Sequence, residues 1–182
     1  ETICLKLGSD GRITGLTDIT NGRDYLAGQK SSYLLSLRID NRLYQPSSLS
    51  ITHDIILLKY ELADVTAKIK AVRKDFYLTF ELQELSDKEK VELILWGPVN
   101  TSINKTVGET IGVVRDTVFA IGIQALNPRT LGGYPENEDD SFTGYDIFAT
   151  TSLIDIADSV RILYRGNTAR PESYGSSLNA YT

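Results

Sequence analysis

The sequence predicts an all-β protein, folded as an antiparallel, twisted β-sandwich. Three observations support this: apolar and polar residues alternate over long stretches, turn residues recur at short intervals, and helical periodicity is scarce. Roughly nine segments match a strand pattern. Each has an apolar face, and two stacked layers bury such faces efficiently. Outside the hairpins described below, strands are expected at Tyr33–Ile39, Ser48–His53, Ile55–Leu62 and Val91–Trp96.

The clearest alternation lies in residues 64–85. Apolar residues fill every second position on both sides of Lys74-Asp75, which predicts two strands that each bury one face. A two-residue turn at Lys74-Asp75 fixes the register of this hairpin. The expected cross-strand pairs are Ala71 with Leu78, Ile69 with Phe80, Ala67 with Leu82, and Lys68 with Glu81.

A second hairpin signal opens the chain. Thr2–Leu7 and Arg12–Ile19 read as strands joined by a glycine-containing turn. The stretch "GRITGLTDITNGRDYL" then reverses at Asn21-Gly22, because this dipeptide tolerates the positive φ of a tight turn. The pattern predicts strand, reversal, strand.

Later segments carry a less uniform signal. Gly108–Arg115 and Thr117–Leu126 read as a hairpin that turns at Arg115-Asp116, and the second strand is apolar on both faces, as in a central strand. Residues 127–146 are rich in glycine, proline, asparagine and acids and predict a long polar loop. Near 153–165 two alternatives stay open: a short helix capped by Ser152, or a strand at Val160–Tyr164.

Composition limits the function classes. The 182 residues fit one domain, 1–182, and the net charge of −5 disfavours nucleic acid as a partner. No apolar run reaches the roughly 18 residues of a membrane span. One cysteine and one histidine exclude an intrachain disulfide and any site with two imidazoles. No motif for a phosphate, metal or organic cofactor is present, so none is predicted.

The opening hairpin resembles the first hairpin of galactose-mutarotase-like supersandwich domains. The likeness is carried by Gly11, Ile13, Leu16, Asp18, Gly22 and Leu26. A second stretch, "LILWGPVNTSINKTVGETIGVVRDTVFAIGIQALNPRTLGGYP", is similar to the middle portion of large secreted bacterial glycan-processing proteins. The resemblance implies a supersandwich and a bacterial protein that is secreted, periplasmic or on the cell surface. It also implies that the chain is an N-terminal piece of a longer protein.

For function, the resemblance implies a non-catalytic module. Such domains often pack against a catalytic domain, so the expected partners are carbohydrate or an adjacent catalytic domain of the same protein. Mutarotases use histidine as acid and glutamate as base, whereas this chain has only His53, so no catalytic residue is predicted. Two alternatives stay open: a glycoside hydrolase site with paired carboxylates, and a stand-alone lectin-like surface domain.

Candidate sugar contacts are aromatic or charged residues at strand ends and loops. Aromatic rings stack on sugar rings, and charged groups make the stronger hydrogen bonds to hydroxyls. Trp96, the only tryptophan, fits either this role or a plug in the core. Asp139, Asp140 and Asp146 are weak calcium candidates without the spacing of a calcium loop, so no metal site is predicted. The candidate sugar contacts are Trp96, Arg115, Asp116, Tyr134 and Tyr145.

Overall fold

The computed structural model describes residues 3–27, 31–75, 77–103, 106–107, 113–115, 117–126, 130–132, 160–167 and 177–181, and these contain strands and turns. The strands are β1 Ile3–Leu7, β2 Arg12–Asp18, β3 Ser32–Tyr33, β4 Leu35–Ile39, β5 Arg42–Tyr44, β6 Ser48–Thr52, β7 Ile55–Tyr60, β8 Val65–Arg73, β9 Tyr77–Leu85, β10 Leu93–Thr101, β11 Thr106–Val107, β12 Val113–Arg115, β13 Ala120–Ala125, β14 Thr130–Gly132, β15 Val160–Asn167 and β16 Ser177–Tyr181.

These strands form three antiparallel sheets. The largest has eight strands in the order β11-β12-β13-β16-β9-β8-β7-β6, and a five-stranded sheet has the order β14-β15-β10-β4-β5. β1, β2 and β3 form the smallest sheet. The prediction of an all-β, antiparallel sandwich is confirmed.

β10 joins the two smaller sheets. Its first half pairs with β4, while beyond a bulge at Gly97-Pro98 its second half meets residues 24–27. There Leu26 forms a bridge pair with Thr101, and the amide of Ala27 donates to the Asn100 carbonyl at 3.0 Å. Residues 24–27 also form hydrogen bonds with the end of β2. The five-stranded and the three-stranded sheet are therefore connected through β10 and form one hydrogen-bonded layer. Gly97 turns the strand with a φ of 84°.

The core lies between this layer and the eight-stranded sheet. From the eight-stranded sheet, the buried side chains include Ile56, Leu58, Val65, Ala67, Ile69, Phe80 and Leu82. From the other layer they include Leu35, Leu37, Ile39, Ile94 and Trp96. On the opposite face of β10, Leu93 and Leu95 are also buried and form a cluster of their own. β10 is therefore covered on both faces.

The hairpin at 64–85 forms, but the predicted register is wrong. Ala71 lies opposite Phe80 and Ile69 opposite Leu82, two positions away from the expected pairs. The reason is that the turn is centred one residue later, with the amide of Lys74 bonded to the Tyr77 carbonyl at 2.9 Å. A shift of two leaves every side chain on its predicted face, because strand side chains alternate with period two.

A bulge adds a second departure in this hairpin. Lys68 lies opposite Glu84 and Ile69 opposite Leu82, which leaves Gln83 as the extra residue of β9. The predicted pairing of Lys68 with Glu81 is therefore wrong, and Glu81 faces Lys70 instead. After the bulge Leu85 turns into the core and Glu84 to solvent.

The reversal at Asn21-Gly22 is confirmed. Gly22 has a φ of 74°, and its amide donates to the Asp18 carbonyl at 2.8 Å. One oxygen of the Asp18 carboxylate accepts the Thr20 amide at 2.8 Å and the Thr20 hydroxyl at 2.6 Å. Arg23 donates its amide to the Asn21 side chain, which tightens the return.

The later strands correct several predicted boundaries. Val113 pairs with Gly122 and Arg115 with Ala120, so the predicted turn centred on Arg115-Asp116 is wrong, because Arg115 still lies within the ladder. β13 is a central strand, as predicted, since it lies between β12 and β16.

Residues 160–167 form β15, which resolves that part of the helix-or-strand alternative as strand. β14 lies within the segment predicted as a loop at 127–146; the rest of that segment, and 153–159, lie outside the described residues.

Gly11 and Gly22 offer a matched test of how the opening hairpin is held. Both have positive φ, but a Cβ on Gly11 would lie 2.5 Å from Cγ of Pro46, while a Cβ on Gly22 meets nothing within 4 Å. We expect Gly22→Ala to lower the free energy of unfolding by about 1–2 kcal/mol from backbone strain alone. Gly11→Ala adds overpacking and costs about 1–3 kcal/mol more. Equal losses in urea unfolding of the two variants would contradict this packing.

Tyr60 provides a polar link between the layers. Its hydroxyl donates to the Leu35 carbonyl at 3.0 Å, and burial raises the pKa of this phenol well above its ordinary value. We expect Tyr60→Phe to lower the free energy of unfolding by about 1 kcal/mol at neutral pH. Tyr77→Phe, at an exposed position, is the control and changes it by less than about 0.5 kcal/mol.

The same pair of proteins tests the pKa of Tyr60. Above about pH 10 an unfolded phenol loses its proton while the buried one keeps it, so the unfolded state binds fewer protons and stability falls as pH rises. The advantage of the wild type over Tyr60→Phe is therefore constant below pH 10 and shrinks above it. Urea titrations across this range check the trend; an advantage that grows with pH would contradict it.

Candidate functional site

Trp96 lies in the core of the sandwich. It shares the inner face of β10 with Ile94, is 0% exposed, and has Leu35 as its neighbour on β4. Of the two roles open to it, the structure places the indole where it fills the space between the layers. In this position the ring presents no face to solvent on which a sugar can stack.

Buried polar groups collect where β10 leaves β4 and meets residues 24–27. The Ser32 hydroxyl accepts the backbone amide of Asn100 at 2.9 Å and the side-chain amide of the same residue at 3.0 Å. Ser102 donates its amide to the Tyr25 carbonyl at 2.7 Å. The Tyr25 ring stacks on Phe119 with centroids 4.3 Å apart. These contacts satisfy backbone amides and the side-chain amide of Asn100 where regular pairing stops, which is a structural role. The buried Tyr25 hydroxyl has no hydrogen-bond partner among the described residues.

An exposed cluster of different chemistry lies where β2 begins. We call Asp10, Arg12 and Tyr33 the Arg12 cluster. Arg12 and Tyr33 are cross-strand partners in β2 and β3, while Asp10 belongs to the turn between β1 and β2. That turn is closed by the Gly8 amide, which donates to the Arg12 carbonyl at 2.8 Å. Backbone pairing therefore sets the positions of all three residues.

The guanidinium of Arg12 is held through Nε. This nitrogen donates to the Tyr33 hydroxyl at 3.1 Å and lies 3.1 Å from Oδ2 of Asp10. The other carboxylate oxygen of Asp10 accepts the Arg12 backbone amide, also at 3.1 Å. The hydrogen bond to Tyr33 and the charge of Asp10 raise the pKa of Arg12. The side chains of Arg12 and Asp10 are 51% and 46% exposed, so the cluster is open to solutes.

The other predicted site residues are not brought together within the described part of the chain. Arg115 ends β12, where its backbone pairs with β11 and β13. Asp116, Tyr134 and Tyr145 lie outside the described residues, as do the calcium candidates Asp139, Asp140 and Asp146. Among the residues that are described, no three histidine, cysteine, aspartate or glutamate side chains are close enough to hold a metal ion.

Sequence reasoning did not single out the Arg12 cluster. Arg12 and Tyr33 are 21 positions apart in the sequence, and their contact depends on the pairing of β2 with β3, a strand of only two residues. The available signal was an arginine and an aspartate that flank Gly11 in a turn, and a turn of this kind is common on protein surfaces.

Comparison of the chain with protein-family models, with curated proteins and with solved structures finds no match. The likeness of the opening hairpin to galactose-mutarotase-like domains therefore stays a prediction. Helices long and apolar enough to cross a membrane do not occur in the described ranges.

The placement of Trp96 predicts its behaviour in solution. We expect Trp96→Ala to lower the free energy of unfolding by about 3–5 kcal/mol, because it leaves a large cavity between the layers. Leu62→Ala is the control: Leu62 is 93% exposed at a turn, and its loss changes stability by less than about 0.5 kcal/mol. In the wild type the single tryptophan is shielded from acrylamide. Efficient quenching of the folded protein would contradict the buried position, even if Trp96→Ala fails to fold.

Proposed function

We propose that this chain is a non-catalytic, carbohydrate-associated β-sandwich module of a larger secreted bacterial glycan-processing protein. In this role it packs against a catalytic domain and presents an edge that contacts glycan. The proposal rests on one observation. The residues by which the opening hairpin resembles galactose-mutarotase-like domains act in packing and in turns.

Those residues act in packing and turning. Ile13 and Leu16 of β2 are both buried, Leu16 within the core between the layers, and Gly22 supplies the positive φ of the reversal. The Asp18 carboxylate ties the turn together, and Leu26 pairs with Thr101 of β10. A likeness that rests on scaffold residues supports a scaffold role, since function depends on separate site residues.

The fold also suits a module that supports a neighbour. Two broad antiparallel layers with a continuous core form a stiff body that can hold an adjacent domain in place. The outer face of β7 and β8 carries Lys59, Lys68 and Lys70 between partly apolar positions. Such a mixed surface is typical of contacts between domains of one chain.

Chemical crosslinking of the full-length gene product tests the proposal. We expect amine-reactive crosslinks from lysines of this chain to a second domain of the same polypeptide, and that domain is expected to turn over a glycan when expressed with this one. The longer chain is also expected to carry an export signal. A gene that encodes no glycan-active domain, or a second domain that yields no crosslinks to this one, would contradict the proposal.

The non-catalytic part of the proposal has a separate test. We expect residues 1–182 alone to release no chromophore from a panel of aryl glycosides. Turnover by this chain, abolished by changing one acid at a time, would instead identify paired carboxylates as a hydrolase site.

A further inference from the structure

We infer that the Arg12 cluster binds the carboxylate of an acidic sugar residue, a uronic acid within a glycan, through the terminal nitrogens of Arg12. This inference rests on the proposed function, because it names the class of sugar that the module contacts and the side chains that contact it.

The first step of the argument is the way in which Arg12 is held. Among the described residues, both polar contacts of the guanidinium fall on Nε, which meets the Tyr33 hydroxyl and Oδ2 of Asp10. Within the described part of the chain, these contacts leave the two terminal nitrogens of Arg12 available to a ligand. A long surface side chain usually samples many rotamers, whereas this one is oriented before any ligand arrives.

The second step is the chemistry of the available group. A guanidinium offers two parallel N–H donors that match the two oxygens of a carboxylate, and such bidentate pairs are both stronger and more directional than single hydrogen bonds. Asp10 does not use this arrangement, because one of its oxygens faces Nε and the other accepts the backbone amide of Arg12. A second carboxylate can therefore bind without displacing the first.

The third step is the surface beside the cation. The ring of Tyr33 is half-buried, and its centroid lies 5.8 Å from Cζ of Arg12. Because the guanidinium lies over this ring, it is the exposed part of the ring beside the cation that gives the C–H groups of a sugar an apolar contact. The Tyr33 oxygen accepts from Nε, so its own proton is free to donate to a sugar hydroxyl. Together these groups match a ring that carries both hydroxyls and a carboxylate.

The experiment follows the Nε–Hε signals of the arginines by NMR while sodium glucuronate is added. We expect one signal to shift with glucuronate and not with glucose at the same concentration. The signal is assigned to Arg12 by its loss in Arg12→Lys, a variant that keeps the charge but lacks the paired donors. Because this variant lacks the Nε–Hε reporter, its binding is followed through the backbone amide signals of residues 10–12 and 33, and we expect it to bind glucuronate at least about tenfold more weakly than the wild type.

Three further proteins sharpen the result. Tyr33→Phe keeps the ring but removes the acceptor that orients Nε, so weaker binding of glucuronate is expected. Asp10→Asn keeps one acceptor oxygen, for the Arg12 backbone amide, and removes a neighbouring negative charge, so it is expected to bind at least as well while Tyr33 still accepts from Nε. Arg42→Lys, at an exposed arginine of β5, is the matched control and leaves binding unchanged. Its spectrum, like those of the other variants, also reports whether the fold is intact.

Each remaining outcome decides against the inference. A shift with acetate equal to that with glucuronate would mean that the site recognises a carboxylate but no sugar. Unchanged binding by Arg12→Lys would place the contact elsewhere. If no Nε–Hε signal shifts with glucuronate, the chain does not bind this sugar through an arginine. A module that still crosslinks to a glycan-active domain while failing these tests would keep the proposed function and overturn this inference alone.

Discussion

The layer opposite the eight-stranded sheet depends on one constraint, the continuous pairing of β10. A strand in a sandwich must satisfy its backbone groups along its whole length, because an unpaired buried amide or carbonyl is costly. β10 does this with β15 along one side and with two successive partners, β4 and residues 24–27, along the other. The bulge at Gly97-Pro98 makes the change of partner possible, and it is the reason that the opening hairpin belongs to the same layer as β4 and β5.

The same principle explains how much of the fold the sequence predicts. Alternation indicates the face on which each residue of β8 and β9 lies, because burial acts on faces. It indicates register poorly, because a shift of two residues buries the same side chains and costs little in packing. The bulge at Gln83 could not be predicted, for a related reason. It leaves one residue of β9 unpaired, which places Leu85 instead of Glu84 on the buried face, and no residue type in the sequence marks this position. In β10, alternation does not indicate which face is buried, because both faces are: Ile94 and Trp96 lie on one face, and Leu93 and Leu95 on the other.

The candidate site was predicted less well than the fold, and the reason is again physical. An aromatic residue near a strand end has the same sequence signature whether it fills a core or faces a ligand. For Trp96, the pairing with β4 places the ring inside. The Arg12 cluster has the opposite character, because each of its residues is ordinary in the sequence. Only the short pairing of β2 with β3 brings Tyr33 beside Arg12, and strands of two residues carry almost no pattern.

This contrast separates the groups that build the sandwich from those that can recognise a ligand. Where β10 changes partner, the side chains of Ser32 and Asn100 are buried and bond to each other, so they contribute to the fold and are closed to a solute. The Arg12 cluster is exposed, and exposed ion pairs contribute little to stability. Its arrangement instead follows from backbone pairing, which brings oxygens of both Asp10 and Tyr33 to 3.1 Å from Nε without any ligand. Contacts on Nε favour one orientation of this cation before binding, and that lowers the conformational-entropy cost of capturing a carboxylate at an open surface.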